Sequence, residues 1–227
     1  MFYIIANFKS NLVRKDIIEY INFINKGLAV FSNKSSIKII FCPPYPYLYL
    51  FEGLVKNYDY VSIGAQDVSC FLEGSFTGDV NAIQLSDYCK YCIVGHSERR
   101  LNYREGDDSI HKKLQNLVLN GISPIICASD IKQLGILRKE GIRETMVAYE
   151  PVDYIGGFVP APLAEVNNFI NKSGLTSIIY GGSVNSKNCT EYLLHKGISG
   201  FLIGNASLNA LGFLKILQKA NSLLRLT

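Results

Sequence analysis

The sequence contains no apolar run long enough to cross a lipid bilayer. A membrane helix needs about 18 consecutive apolar residues, and every apolar stretch here is interrupted before that length. The apolar start of the chain, residues 1–6, is also too short for a signal peptide, since Asn7 and Lys9 interrupt it. We therefore expect a cytoplasmic protein with no membrane partner.

A strong charge of either sign is also missing. The formal net charge is +4, whereas a nucleic-acid-binding protein is expected to carry a clustered basic face. We therefore expect no nucleic-acid partner. A mild positive charge would help to attract a small anionic substrate, although it is equally compatible with an accident of surface composition. With 48% hydrophobic and 19% charged residues, the chain does not have the composition of a disordered protein.

Six cysteines are scattered along the chain, and we interpret them as reduced, mostly buried thiols. Cys89 and Cys92 have the CxxC spacing that occurs in zinc and redox sites. Neither a second such pair nor a pair of histidines stands near them in the sequence. Packing within a strand is therefore the favoured interpretation of this motif, with metal or redox use as the alternative.

Short apolar segments alternate with longer amphipathic segments along the whole chain. Most of the short segments are apolar at successive positions, which is typical of parallel strands that are buried on both faces. The predicted strands are 2–6, 37–41, 60–64, 91–94, 122–126, 146–149, 177–180 and 200–203.

The segments between these strands have helical periodicity. Residues 16–30 predict a helix with one apolar stripe, and Asn185 is a candidate N-cap for a later helix. The residues of the predicted stripe are Ile17, Ile18, Ile21, Ile24 and Leu28. Eight strands and about eight helices, with no linker between them, predict a single α/β domain over residues 1–227, a (β/α)8 barrel of eight parallel strands ringed by helices. A doubly wound open sheet is the structural alternative, but it often carries a glycine-rich loop after its first strand.

Polar residues follow three of the predicted strands, and in a barrel such residues gather at one mouth. Asn7 and Lys9 follow the first strand, His96 follows the fourth, and Glu150 follows the sixth. Burying a carboxylate at a strand end costs free energy unless a partner uses it, and an ion pair with Lys9 is the structural explanation. The alternative explanation is catalysis.

Two turns of small residues follow the seventh and eighth strands, at residues 181–183 and 204–207. Neighbouring turns of this kind can present backbone N–H groups to one anion, and a short helix that starts near Ala206 would add its positive N-terminal end. The pair predicts a phosphate site, with tight turns that bind nothing as the alternative.

Seven stretches of the chain together resemble the triosephosphate isomerase family, and they occur in that family's order. They are Ala-Asn-Phe-Lys (6–9), Gly-Ala-Gln (64–66), Gly-Ser-Phe-Thr-Gly-Asp (74–79), Val-Gly-His-Ser-Glu-Arg-Arg (94–100), Ala-Tyr-Glu-Pro-Val (148–152), Ile-Tyr-Gly-Gly-Ser-Val (179–184) and Gly-Phe-Leu-Ile-Gly (200–204). The resemblance implies interconversion of glyceraldehyde 3-phosphate and dihydroxyacetone phosphate through an enediolate, a step of glycolysis and gluconeogenesis. It implies no metal and no cofactor.

The resemblance also assigns roles to individual residues. It implies that Glu150 is the base, His96 the electrophile, and Lys9 the positive charge beside the developing oxyanion. Asn7 would donate to the same oxygen, and Glu98 would stand near the lysine. The expected phosphate ligands are Gly156, Ser183, Gly204 and Asn205.

The region that corresponds to the family's active-site lid, residues 151–159, departs from the common pattern. Asp153 stands where the family commonly has tryptophan, a residue that this chain lacks, and Asp130 stands where a glutamate holds that tryptophan. Two aspartates repel each other, so we predict a different anchor for the open lid. Phe158 at the far hinge makes the hinge stiffer than usual.

The long loop from Gln66 to Asp79 matches one that reaches into a neighbouring subunit in the family, so a homodimer is expected. A free surface loop is the alternative.

Two rival functions remain open: another phosphate-handling barrel enzyme that shares the two glycine turns, and a non-catalytic relative that binds phosphate or a protein through its altered lid.

Overall fold

Eight short, almost entirely buried segments form the strands. The computed structural model describes residues 1–31, 36–135, 145–155, 157 and 159–224. All eight predicted strands are confirmed, with ends that shift by one or two residues. They are β1 (Phe2–Asn7), β2 (Ile37–Cys42), β3 (Val61–Ala65), β4 (Tyr91–Val94), β5 (Ser123–Ala128), β6 (Met146–Tyr149), β7 (Ile178–Tyr180) and β8 (Ile198–Ile203).

The strands form one closed, parallel barrel in which each strand pairs with its neighbours in chain order. The first and last strands also pair in parallel, with Ile5 opposite Leu202. This pairing confirms the predicted barrel and rules out the doubly wound open sheet, because an open sheet leaves two unpaired edges. All the residues that follow the strands therefore lie at the same end of the barrel.

Helices surround the barrel and cover its outer face. In the described residues they are α1 (Arg14–Leu28), α2 (Glu52–Asn57), α3 (Ala82–Ser86), α4 (Ser97–Asn102), α5 (Asp107–Leu119), α6 (Leu163–Ser173), α7 (Cys189–Leu193) and α8 (Ala210–Leu223). Short 3-10 turns lie at Tyr45–Phe51, Lys132–Leu134, Val152–Tyr154 and Asn205–Ser207. None of the helices in this part of the chain is both long and apolar enough to span a bilayer.

The apolar residues of the strands face two separate cores, because successive side chains of a strand point to opposite sides. Alternate residues meet inside the barrel, among them Ile5, Ile40 and Ile125. Their neighbours, such as Ile4, pack outward in a second core with the helices. The continuous apolarity of the strands follows from this double burial.

Cys89 and Cys92 both lie in the core, at 1% and 0% exposure. The interpretation of the motif as core packing is therefore supported, although only Cys92 lies in a strand, β4, and Cys89 lies just before it. Two details of the helix predictions are wrong. Ile18 is 37% exposed, because α1 turns its stripe toward the barrel through Ile17, Ile24 and Leu28, which are buried.

Asn185 does not cap a helix, because α7 begins later, at Cys189, with Asn188 as the residue before its first turn. The side chain of Asn185 instead accepts a hydrogen bond from the backbone N–H of Lys187, at 2.9 Å. Asparagine side chains often form such local turns in competition with helix capping.

Candidate active site

The mouth of the barrel at the carboxyl ends of the strands contains a cavity of about 600 Å³. Predicted site residues from five strands line it: Asn7, Lys9, His96, Glu150, Ser183, Gly204 and Asn205. Glu98 does not line the cavity but contacts Lys9. Gly156, the remaining predicted phosphate ligand, lies outside the described residues. Residues that are far apart in the sequence thus meet around one cavity.

Lys9 is held in an unusual backbone conformation, with a φ of 52°. Few residues other than glycine adopt a positive φ, and two hydrogen bonds accompany it here. The backbone N–H of Lys9 donates to Asn7 Oδ1 at 3.0 Å, and Gln66 Nε2 donates to the Lys9 carbonyl at 2.9 Å. This arrangement turns the chain out of β1 and keeps the lysine at the cavity.

The ammonium group of Lys9 lies near the carboxylate of Glu98 and near the turn after β8. Lys9 Nζ is 2.5 Å from Glu98 Oε1. A Cβ atom added to Gly204 would lie 3.1 Å from Lys9 Cε, so the lysine passes close to the turn after β8. The predicted alternative, an ion pair of Lys9 with Glu150, is wrong: within the described residues the lysine pairs with Glu98.

His96 is the residue before the first turn of α4, which starts at Ser97 as the sequence allows. Its Nδ1 atom accepts a hydrogen bond from the backbone N–H of Glu98, at 3.2 Å. An acceptor at Nδ1 places the proton of a neutral ring on Nε2. Nε2 lies 2.9 Å from Glu150 Oε1, so the histidine donates this N–H to the carboxylate.

Glu150 directly follows β6, and this residue is only 2% exposed. The backbone N–H of Ser97 donates to Oε2 at 3.0 Å, while His96 occupies the other oxygen. Gly181 makes room for this side chain, because a Cβ atom there would lie 3.0 Å from Glu150 Cγ. A carboxylate at this depth is stable only with such partners.

The pKa values of the histidine and the glutamate move in opposite directions. Burial raises the pKa of Glu150, but the positive His96 ring, the Ser97 N–H and the Cys127 thiol lower it by more, so the pKa lies below its usual value. Burial lowers the pKa of His96, but the charge and hydrogen bond of Glu150 raise it above its usual value. The glutamate is therefore ionised at neutral pH and available to accept a proton.

The turns after β7 and β8 also line the cavity. Ser183 has a φ of 53°, and the 3-10 turn after β8 begins at Asn205, as the predicted short helix requires. No described residue accepts a hydrogen bond from the backbone N–H of Ser183 or of Asn205. Unpaired N–H groups beside a cavity are suited to bind an anion.

Two contacts of this site were not expected from the sequence. Gln66 bridges the ends of the first two strands, because its amide also donates to the carbonyl of Cys42 at 2.9 Å. Cys127 lies close enough to Glu150 for its thiol to help lower the pKa of that carboxylate. A sequence signal existed for Gln66, since it directly follows β3, but none distinguished Cys127 from the other buried thiols.

The altered lid region is described only in part, because Gly156 and Phe158 lie outside the described residues. Asp130 accepts a hydrogen bond from the backbone N–H of Gln133, at 3.0 Å. Asp153 is exposed in the 3-10 turn after Pro151. A different anchor for the open lid stays a prediction.

Comparison with known proteins gives one consistent result. A family model described as triosephosphate isomerase matches residues 2–220. The triosephosphate isomerase of Aquifex aeolicus (strain VF5) is 36% identical over an alignment that covers 94% of this chain and 97% of the relative. That of Buchnera aphidicola subsp. Baizongia pistaciae (strain Bp) is 34% identical over 95% of this chain and 97% of the relative. The triosephosphate isomerase of Vesicomyosocius okutanii is 34% identical over 79% of this chain and 84% of the relative.

Proposed function

The chain belongs to the triosephosphate isomerase family and is a triose phosphate isomerase, and we propose that the cavity at the mouth of the barrel is its active site. The reaction interconverts glyceraldehyde 3-phosphate and dihydroxyacetone phosphate, in glycolysis and gluconeogenesis. One observation supports the proposal most strongly: an amine, an imidazole and a carboxylate that follow β1, β4 and β6 converge on a cavity that the two small-residue turns also line. The proposal assigns each of these groups to one step.

Glu150 removes the carbon-bound proton in the proposed mechanism. Its lowered pKa keeps it ionised at neutral pH, and its burial keeps water away from the proton that it holds. The substrate must first take the place of His96 as its partner, since His96 Nε2 lies 2.9 Å from Glu150 Oε1. The base then returns the proton to the adjacent carbon, which completes the isomerisation.

Three donors stabilise the enediolate oxygens in this proposal. His96 donates from Nε2, because its Nδ1 accepts a hydrogen bond from the backbone N–H of Glu98. The same Nε2 atom passes the proton between the two oxygens. Lys9 contributes its positive charge. Asn7 uses Oδ1 to hold the backbone of Lys9, which leaves its amide N–H₂ to donate to the same oxygen. Glu98 orients the ammonium group of Lys9.

Ser183, Gly204 and Asn205 bind the phosphate in the proposal, through the backbone N–H groups of the two turns. Gly156 is proposed as a fourth donor, from the resemblance alone. Asn205 stands where the family often has glycine, but its backbone N–H is unchanged by the substitution. The binding energy of the phosphate is then available to hold the lid over the cavity.

A coupled assay with glyceraldehyde 3-phosphate tests the assignment. Steady turnover in the purified protein, inhibited competitively by phosphoglycolate, is the expected result. Tight binding of phosphoglycolate without turnover would instead support the non-catalytic relative. Turnover of other phosphorylated sugars in preference to the triose would support a different barrel enzyme.

We also propose that the protein acts as a homodimer through the loop from Gln66 to Asp79. Phe71, Leu72 and Phe76 are 42%, 45% and 39% exposed on this loop, and the rings of Phe71 and Phe76 stack at 4.0 Å. An exposed apolar patch of this kind is typical of a protein interface. Sedimentation of the wild type and a Phe76→Asp variant tests the proposal: we expect a dimer and a monomer, respectively, and a monomeric wild type would contradict it.

The cytoplasm is the proposed location. All six cysteines are free and five of them are buried, which suits a compartment that keeps thiols reduced. Alkylation of the thiols in freshly broken cells, after fractionation, tests this proposal. Recovery of the protein outside the cytoplasmic fraction would contradict it.

A further inference from the structure

Ser183, a proposed phosphate ligand in the turn after β7, has a backbone conformation that few residues other than glycine adopt. Its φ of 53° lies in the left-handed region, where a side chain costs free energy. The same turn leaves the backbone N–H of Ser183 beside the cavity, without an acceptor among the described residues. A strained turn keeps its shape only when the groups around it hold it, so the contacts of Ser183 decide whether this N–H stays in place.

Two asparagine side chains hold the peptide group that follows Ser183. Asn188 Nδ2 donates to the carbonyl of Ser183 at 3.0 Å, and Asn185 Nδ2 lies 3.4 Å from the same oxygen. Asn188 Oδ1 also accepts a hydrogen bond from the backbone N–H of Asn185, at 2.8 Å. One amide group therefore bridges the backbone on both sides of Val184, a residue that is only 3% exposed.

Asn188 stands at a position where an asparagine usually has another task. It directly precedes α7 (Cys189–Leu193), and an asparagine there typically accepts a hydrogen bond from an N–H group of the first helical turn. The side chain of Asn188 makes no such bond to α7. The hydrogen bonds of this side chain therefore support the turn after β7 rather than the helix.

The planarity of peptide groups links the held carbonyl of Ser183 to its N–H. Only the two dihedral angles of Ser183 separate the plane of its N–H from the plane of its carbonyl. On the other side the chain has little freedom, because a Cβ atom at Gly182 would lie 2.4 Å from the hydroxyl oxygen of Tyr180. A rotation of the Ser183 N–H therefore requires the bond from Asn188 to break or the neighbouring chain to move.

We propose that Asn188 is a positioning residue for the phosphate group of the substrate. It holds the carbonyl of Ser183 and thereby keeps the N–H of Ser183 available to the phosphate. Asn188 does not line the cavity and acts through Ser183. The inference rests on the proposed function, which places the phosphate at this turn. Loss of the Asn188 amide should weaken the interaction with the phosphate and leave Lys9, His96 and Glu150 unchanged.

A comparison of two substrates provides a readout that a purely structural role would not change. Glyceraldehyde 3-phosphate uses both the phosphate turn and the groups around the reacting carbons, whereas glyceraldehyde uses only the latter. A smaller amount of folded enzyme lowers the apparent kcat/KM of both substrates by the same factor. A defect of the turn lowers kcat/KM for the phosphorylated substrate alone, so the ratio of the two values reports on the turn.

The decisive variant is Asn188→Ala, which removes both hydrogen bonds of the amide group. We expect kcat/KM for glyceraldehyde 3-phosphate to fall by about tenfold and kcat/KM for glyceraldehyde, followed by NMR, to stay unchanged. Asn188→Ser is a second variant in case the first folds poorly. Serine is also preferred before a helix, but it is too short to bridge Ser183 and Asn185, so we expect the same change in the ratio.

The matched control is Asn120→Ala. Asn120 is also partly buried, and its Nδ2 likewise donates to a backbone carbonyl, that of Asn116, at 2.8 Å. It lies at the end of α5 and away from the residues that line the cavity. The control is expected to leave the ratio of the two kcat/KM values unchanged.

Binding of phosphoglycolate, measured by calorimetry, separates this inference from the proposed function because it needs no turnover. We expect its Kd to rise by about tenfold in Asn188→Ala and to stay unchanged in Asn120→Ala. A wild type without isomerase activity would refute the proposed function alone, and the Kd values would still decide the role of Asn188. Equal losses for the two substrates in the Asn188 variants, or an unchanged affinity for phosphoglycolate, would overturn the inference.

Discussion

Two clusters of charged side chains lie near the mouth of this barrel, and they are connected in different ways. In the Asp67 cluster, which consists of Asp67, Arg99, Glu105 and Lys113, the contacts form a closed ring. Lys113 bonds to Asp67 at 2.7 Å, Arg99 bonds to Asp67 at 2.8 Å, and Glu105 pairs with both cations. In the proposed catalytic cluster, Lys9 with Glu98 and His96 with Glu150 form two pairs.

This difference explains which cluster can perform chemistry. Each charge of the closed ring has two partners of opposite sign, so the removal of one member leaves two charges of the other sign close together with a single partner between them. Three of the four members of the proposed catalytic cluster, Lys9, His96 and Glu150, line a cavity, where a ligand can replace one partner without leaving the other charge unpaired. Burial of charge is therefore common to both clusters, but only the open arrangement is available to a substrate.

The largest expected effect is on turnover when the base is removed. Glu150→Gln should lower kcat by about 10³-fold, within the range of general base catalysis. Glu150→Asp, which retracts the carboxylate by about 1 Å, should lower it by about 10²-fold. Steady-state kinetics measure both, with Glu105→Gln of the Asp67 cluster as the control that keeps the kcat of its folded fraction. A loss below about threefold in Glu150→Asp would remove Glu150 from the role of base.

Removal of the ammonium group of Lys9 is the next test. Lys9→Met should lower kcat/KM by about 10²-fold, with a higher KM and a lower kcat, because one charge serves both the phosphate and the oxyanion. The comparison variant is Lys113→Met, measured on its folded fraction. Wild-type kinetics in Lys9→Met, or equal losses in the two variants, would contradict the distinction between the clusters.

The same Lys113→Met variant should have its main effect on stability. It leaves Asp67 and Glu105 buried without this cation, and breaking a buried ion pair costs about 3–5 kcal/mol. Urea unfolding of the wild type and the variant measures the difference in the free energy of unfolding. Lys9→Met, whose partner Glu98 is 44% exposed, should lose clearly less. The opposite order would mean that the closed ring is not the more interdependent cluster.

The smallest expected effect is a change in the pKa of His96. Since Glu150 raises the pKa of His96, Glu150→Gln should lower it, and NMR titration of the imidazole signals measures the shift. The raised pKa of the folded state also means that the pair stabilises the fold fully below the unfolded value of about pH 6.5, and that this contribution is lost as the pH rises through the folded pKa. An unchanged pKa in the variant would show that Glu150 does not control the histidine.

Much of the fold followed from local patterns, and the exceptions have identifiable causes. The strands were predictable because burial on both faces requires continuous apolarity. Ile18 was misassigned because periodicity defines a stripe but not which of its edges faces the core. Asn185 was misassigned because a local side-chain turn competes with capping. The barrel closure between β1 and β8 depends on residues that are nearly 200 positions apart.

The order of residues by itself determined the eight strand segments and the chemical groups that follow them, because alternation of apolar and polar segments is a local property of the chain. Only the tertiary structure decided which groups became partners. Lys9 pairs with Glu98 rather than Glu150, and Tyr192 reaches Ala161. These choices depend on distances of a few ångströms between separate strands and helices, and such distances are set by the packing of the whole barrel.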